Sequence, residues 1–225
     1  MSIILNIAHR GFHNDYPDNT LEAFEAALKL GLNGIEFDVQ ETSDSAFVVF
    51  HDDKINGMEI GKMPMAEVKR IKLKDEYEIP SLEEVLDLCR KQVKLLADLK
   101  KIKSLPKLLE TFEKWVGPED VIFVSFHKEL LSGISFLAPE ANTALITSLP
   151  FPNPVKLAGE ALGKGIVVRC SFIDLKLVEQ ARAENFSIFV WDCAHIKAVQ
   201  KVMKLDIDGV ITDFPDQVKG LFLKR

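Results

Sequence analysis

Short apolar or β-branched runs recur along the chain at 3–8, 34–39, 46–50, 93–99, 121–125, 142–147, 165–169, 187–191 and 209–212. Most lead into a segment of helical period. Leu21, Phe24, Ala27 and Leu28 mark one apolar face at i, i+3, i+4 spacing, Leu82, Val85, Leu86 and Leu88 mark another, and Val178, Ala181 and Val199, Val202 continue the pattern. Helix starts are signalled by Asn19 ahead of Thr20-Leu21-Glu22, by Ser81 with Glu84 three residues on, and by Ser104 with Pro106 in the first turn. Strand and helix therefore alternate. A long, even alternation predicts a parallel sheet closed into a (β/α)8 TIM-type barrel, in the α/β class.

The prediction has one surplus strand. The runs at 34–39 and 46–50 are too close together to hold a helix between them, so one of them, or 165–169, lies outside regular barrel strands. A doubly wound open sheet is the structural alternative. Against it, the first strand ends in His9-Arg10-Gly11 rather than a glycine-rich phosphate loop, and GxGxxG is absent.

At 225 residues, with no linker or internal repeat, residues 1–225 read as one domain. The 47% hydrophobic content excludes a disordered chain. A net charge of −6 gives no general attraction to nucleic acid or to an anionic membrane, so an anionic substrate needs local cations or a metal. Three cysteines without metal-like spacing read as reduced thiols. The apolar start lacks a basic leader region, and no stretch is long enough for a membrane span. The expectation is a cytoplasmic protein with no stable membrane insertion.

Polar residues fall repeatedly where strands end, which in a barrel is where chemistry gathers. His9 and Arg10 end the first run, Glu36 and Asp38 lie in the second, and His51-Asp52 end the third. Asp98 and Lys100 mark the fourth, Trp191-Asp192 the eighth and Thr212-Asp213 the last. Glu36 and Asp38 leave the strand on one face, roughly 7 Å apart at the backbone, and would repel unless a cation or proton neutralised them. Asp98 offers a third carboxylate, and such hard oxygen donors select Mg²⁺ or Ca²⁺ over zinc. His9 and His51 can exchange protons near neutral pH. Arg10, by its planar fork, and Lys100, as a point charge, suit a phosphate. Trp191 can wall a substrate's alcohol part. His13, His127 and His195 read as surface or supporting residues.

Ala8-His9-Arg10-Gly11, Pro17-Asp18-Asn19-Thr20, Glu36-Phe37-Asp38-Val39 and Val48-Val49-Phe50-His51-Asp52 together resemble the glycerophosphodiester phosphodiesterase family. The likeness continues through Pro80-Ser81-Leu82-Glu83-Glu84, Asp98-Leu99-Lys100, Ser125-Phe126 and Gly209-Val210-Ile211-Thr212-Asp213-Phe214-Pro215. The resemblance implies a barrel hydrolase that cleaves small-molecule glycerophosphodiesters to glycerol 3-phosphate and an alcohol with a divalent cation, Mg²⁺ or Ca²⁺, with Mn²⁺ a third option. It implies His9 and His51 as the acid–base pair, Arg10 and Lys100 as phosphate ligands, and Glu36 and Asp38 as metal ligands. In the mechanism it implies, a neighbouring glycerol hydroxyl attacks phosphorus, and water then opens the cyclic phosphate.

The chain departs from the family pattern at Asp98, usually Glu; at Asp18, usually Glu; at Ser45, usually a turn glycine; and at Trp191-Asp192-Cys193-Ala194, usually Trp-Thr-Val-Asn. Two competing readings follow. One is a lysophospholipase D-like enzyme with an apolar groove built from Phe12, Met58 and Trp191. The other is a non-catalytic barrel that binds a phosphorylated ligand, against which the retention of two histidines argues.

Overall fold

The computed structural model describes residues 4–222. Eight parallel strands, β1 (Leu5–Ala8), β2 (Gly34–Glu41), β3 (Lys94–Leu99), β4 (Val121–Ser125), β5 (Asn142–Thr147), β6 (Gly165–Arg169), β7 (Ser187–Trp191) and β8 (Gly209–Thr212), pair in sequence order. Pairing of β1 with both β2 and β8 closes the barrel. Between and after them run α1 (Leu21–Lys29), α2 (Leu82–Cys89), α3 (Leu105–Glu113), α4 (Lys128–Leu137), α5 (Pro154–Glu160), α6 (Leu175–Ala183), α7 (Ile196–Val202) and α8 (Pro215–Phe222). The first expected run, 3–8, is realised from Leu5; Ile3 lies outside the described residues.

The surplus run is 46–50. Phe47–Val49 pairs antiparallel with the far end of β2, Val39 opposite Val49 and Glu41 opposite Phe47, so it forms a hairpin arm above the barrel. Run 165–169 is an ordinary barrel strand. The arm continues through two small antiparallel pairs and the short helix Met65–Val68, and it has its own core of Val48, Ile55, Ile60, Met63, Val68 and Ile79.

Side chains of the strands alternate between two environments. Ile7, Leu96, Ile122, Ala144, Val167, Phe189 and Ile211 fill the barrel interior. Residues one position away, such as Ile35, Phe37, Leu95, Ala97 and Phe123, pack under the helices. Two glycines permit the tight first turn of the barrel. A Cβ on Gly34 would meet Ile7 Cγ1 at 2.6 Å, where β1 and β2 pair. Gly11 has φ +84°, and a Cβ there would lie 2.8 Å from the Ala23 backbone. Phe12 N–H can consequently donate to the Ala23 carbonyl at 2.9 Å, folding the β1α1 loop onto α1.

Helix starts follow the sequence with two corrections. Ser81 and Glu84 form the expected capping box. The cap of α1 is Thr20, whose hydroxyl accepts from Ala23 N–H, not Asn19, which sits at φ 59° and points elsewhere. Ser104 precedes α3 as expected but makes no side-chain cap; its N–H donates instead to Glu41 Oε2 at 2.8 Å.

Candidate active site

The register of β2 and β3 sets Asp38 beside Asp98, both facing inward, with Glu36 one inward position below. Oxygens of Glu36, Asp38 and Asp98 lie within 4.8 Å of one another, and all three residues are buried. The electrostatic cost is visible. Burial, and then the Asp38 charge, push the Glu36 carboxyl up to about 8. Burial also pushes Asp98 up to about 6, although Lys100 opposes the shift. Asp38 escapes: burial raises it, but Lys100 and Arg10 outweigh this and hold it below the usual carboxylate range.

That protection is a shell of donors around Asp38. Lys100 Nζ lies 2.9 Å from its Oδ1 and also pairs with Asp98. Arg10 Nε is 3.1 Å from Oδ2, and the same oxygen accepts from Asn19 Nδ2 at 2.7 Å. Arg10 reaches Asp18 with its other arm at 2.9 Å, so the Glu-to-Asp change in that loop keeps a carboxylate on the guanidinium. Arg10 is held at φ 53°, and its backbone N–H donates to Glu36 Oε2 at 3.0 Å. Strain of that kind gathers at functional sites. In contrast to this crowded partner, Asp98 Oδ1 is buried with no hydrogen-bond partner.

Both histidines stand beside the cluster, each with its Nδ1 against a carboxylate: His9 at 2.6 Å from Asp213 Oδ1, His51 at 2.7 Å from Asp52 Oδ1. His9 Nε2 lies 4.0 Å from Glu36 Oε2. Burial lowers the His9 pKa, but the Asp213 hydrogen bond and the Glu36 charge overcome this and leave it raised. Asp213 is held well below the usual carboxylate range by hydrogen bonds from His13 and His9. His51 comes from the hairpin arm, and Gln40 holds that arm: its Nε2 donates to the carbonyls of Phe50 at 2.8 Å, His51 at 3.3 Å and Asp52 at 2.8 Å.

A cavity of about 230 Å³ gathers these groups, lined on one side by His9, Arg10, Glu36, Asp38, His51, Asp98 and Lys100. Its other side is apolar, with Val124, Phe126, Ile146 and Trp191. Phe126 meets Trp191 edge-on, ring centroids 6.2 Å apart, and the Arg169 guanidinium lies over the indole. Every site residue singled out in the sequence therefore lines one cavity. Of the three residues that would mark an apolar groove, Trp191 alone lines this cavity; Phe12 packs on the outer core and Met58 is exposed. Sequence reasoning gave no role to Gln40, Asp52 or Asp213, and read Asn19 as a helix cap rather than as the partner of Asp38. The 38-to-40 step along one strand face was a usable signal for Gln40. His195 proves to cap α7 through Nδ1.

Histidines, carboxylates and cationic side chains converging at the C-terminal ends of barrel strands define an enzyme-type (β/α)8 barrel. Residues 9–217 match the glycerophosphoryl diester phosphodiesterase family, and the chain belongs to it. It is 30% identical to a glycerophosphodiester phosphodiesterase of Bacillus altitudinis over 93% of this chain and 94% of that one. A Caldanaerobacter subterraneus protein of the same description is 29% identical over 98% of each. Among solved structures, the glycerophosphodiester phosphodiesterase of Thermotoga maritima superposes with a TM-score of 0.80 at 28% identity, covering 98% of both chains. An Oleispira antarctica phosphodiesterase in complex with the product sn-glycerol-3-phosphate has a TM-score of 0.87 at 23% identity, covering 97% and 96%. Among the described residues, no helix is long and apolar enough to cross a membrane.

Proposed function

We propose that the chain is a divalent-cation-dependent glycerophosphodiester phosphodiesterase that releases glycerol 3-phosphate and an alcohol, with the whole chain acting as one catalytic barrel domain. The observation that carries this reading is the pairing of two carboxylate-backed histidines, His9 and His51, with a buried carboxylate cluster on a single cavity. A phosphate-binding barrel without catalysis needs only the cations.

The residues present fit a cation. Three buried carboxylates crowd one spot, one of their oxygens has no partner, and the donors are all hard oxygens suited to Mg²⁺, Ca²⁺ or Mn²⁺. Glu36, Asp38 and Asp98 would hold it; when bound, it supplies Lewis acidity toward a phosphoryl oxygen and neutralises their charge.

The remaining work falls to the chain. Arg10 and Lys100 face the cavity and offer a fork and a point charge to the substrate phosphate. Nδ1 of each histidine is fixed by its aspartate, which leaves Nε2 for proton transfer. One histidine takes the proton of the glycerol hydroxyl next to the phosphodiester as that oxygen bonds to phosphorus. The other protonates the alcohol whose P–O bond breaks. Water then opens the resulting cyclic phosphate, its proton passing to the second histidine while the first returns its proton to the glycerol oxygen. Trp191, braced by Phe126, walls the space for the alcohol part. The free cysteines Cys89, Cys170 and Cys193 support a cytoplasmic setting.

The test is a panel of phosphodiesters assayed after chelation and after return of Mg²⁺, Ca²⁺ or Mn²⁺. Release of glycerol 3-phosphate that disappears with chelator and returns with one ion is the expected result. Turnover that ignores chelation would remove the cation from the reading, and absence of turnover on every glycerophosphodiester would remove the activity.

A further inference from the structure

Besides the carboxylate cluster, one other group of metal-donor atoms lies within mutual reach among the described residues: His9, His13 and Asp213. His9 arrives from the end of β1, His13 from the loop after it, and Asp213 from the end of β8, which barrel closure sets beside β1. His9 Nδ1 is 2.6 Å and His13 Nε2 3.4 Å from the same oxygen, Asp213 Oδ1, and all three donors fall within 4.8 Å of one another.

The donor set differs in kind from the all-oxygen cluster. Two imidazoles and one carboxylate suit Zn²⁺ and its borderline neighbours, whereas Mg²⁺ and Ca²⁺ prefer oxygen alone. At zinc-to-ligand distances near 2 Å, tetrahedral donors stand about 3.3 Å apart, so the His13–Asp213 spacing already fits and the His9–Asp213 contact must open by under about 1 Å. Asp213 can yield that distance, since 63% of its side chain is exposed. The same exposure gives an ion a way in and leaves a fourth position for water. His13 completes the set, and nothing in the proposed reaction requires it.

We infer that His9, His13 and Asp213 form a second cation site for a borderline divalent ion of the Zn²⁺ type, and that its occupancy inhibits the enzyme. An ion on His9 Nδ1 displaces the Asp213 hydrogen bond, and its charge withdraws proton affinity from Nε2, the nitrogen facing Glu36. The inhibitory half rests on the acid–base role proposed for His9; the binding half does not.

Zn²⁺ titrated calorimetrically into the full chain in excess Mg²⁺ tests the site, with Co²⁺ absorption in the visible as a second measure of imidazole coordination. Wild type should take up one Zn²⁺ beyond the Mg²⁺ site and lose turnover as it does so. His13→Ala and His13→Gln should keep Mg²⁺-supported turnover within about twofold, yet bind Zn²⁺ and respond to it at least about tenfold more weakly, the scale expected when a ligand shell is disturbed. Equal Zn²⁺ affinity in wild type and both variants would place the ion on the Glu36 cluster and overturn the site, as would no uptake by wild type. His13-dependent uptake with unchanged turnover would overturn the inhibitory half alone. Calorimetry reads the site even in a preparation without phosphodiesterase activity, so failure here and failure of the proposed function are separable.

Discussion

Asn19 and Asp38 clamp each other in both directions: the Asn19 amide donates to Asp38 Oδ2 at 2.7 Å, and its carbonyl accepts the Asp38 backbone N–H at 3.2 Å. Both residues are buried. Asn19→Ala would leave a charged oxygen and a backbone N–H short of partners. The expected cost is about 2 kcal/mol of folding stability, with weaker cation binding because Asp38 is then free to turn. Urea denaturation and metal titration of the variant check this; wild-type values in both would mean the clamp is idle.

His9→Ala and His51→Ala should each lower turnover by roughly 10² to 10⁴ with the fold intact, as loss of one acid or base does. Circular dichroism confirms folding, and a folded variant at the wild-type rate would remove that histidine from the reaction.

Cation affinity should rise with pH. In the proposed coordination a cation requires both Glu36 and Asp98 as carboxylates, whereas burial pushes them up to about 8 and about 6. Below about pH 6 both hold protons that an entering ion must expel; above about 8 neither does. The stability sign follows. Because the Glu36 pKa is raised in the fold, its contribution is present below the unfolded value of about 4.3 and is lost as pH rises toward 8. Thermal melts should therefore show a metal-induced stabilisation that grows between pH 6 and 8, and calorimetry in buffers of different ionisation enthalpy should record proton release. A pH-independent affinity would contradict the neutral state of these carboxyls.

Asp98→Asn should cost at least about tenfold in cation affinity, the order seen when a metal's ligand shell is disturbed. Its Oδ1 is the buried oxygen without a partner, so the shorter aspartate already offers an atom to the ion. An Asn variant that binds the cation like wild type would exclude Asp98 as a ligand.

Ser45 occupies the turn between β2 and the hairpin arm at φ 59°, where the family pattern places glycine. Relief of left-handed strain, less glycine's greater freedom in the unfolded chain, gives Ser45→Gly a net gain of about 0.5–1 kcal/mol. Denaturant midpoints measure it.

Local pattern made much of this legible. Alternation along β2 put Glu36 and Asp38 on one face, because strand periodicity needs only neighbours in sequence; Asp98, expected from across the barrel, instead stands beside Asp38 on the adjacent strand, a pairing that sequence spacing does not encode. The same period could not say which of nine runs leaves the barrel, since Phe47–Val49 is as apolar as a barrel strand. Asn19 was misjudged because a cap and a partner for a buried carboxylate draw on the same residue type. The contact between His9 and Asp213 spans 204 positions and appears only once the sheet is closed.

The hairpin arm has a consequence of its own. His51 rides on a limb with a small core of its own, whose ties to the barrel include one short antiparallel pairing, the packing of Phe47 and Val49, the Phe50 N–H to Asp38 carbonyl bond and the hydrogen bonds of Gln40. His9, by contrast, is anchored in the closed ring of strands, its N–H bonded to the Thr212 carbonyl. Heat should thus part the two imidazoles before it opens the ring, and the protein should fall silent at a temperature where its circular dichroism still reports a whole barrel.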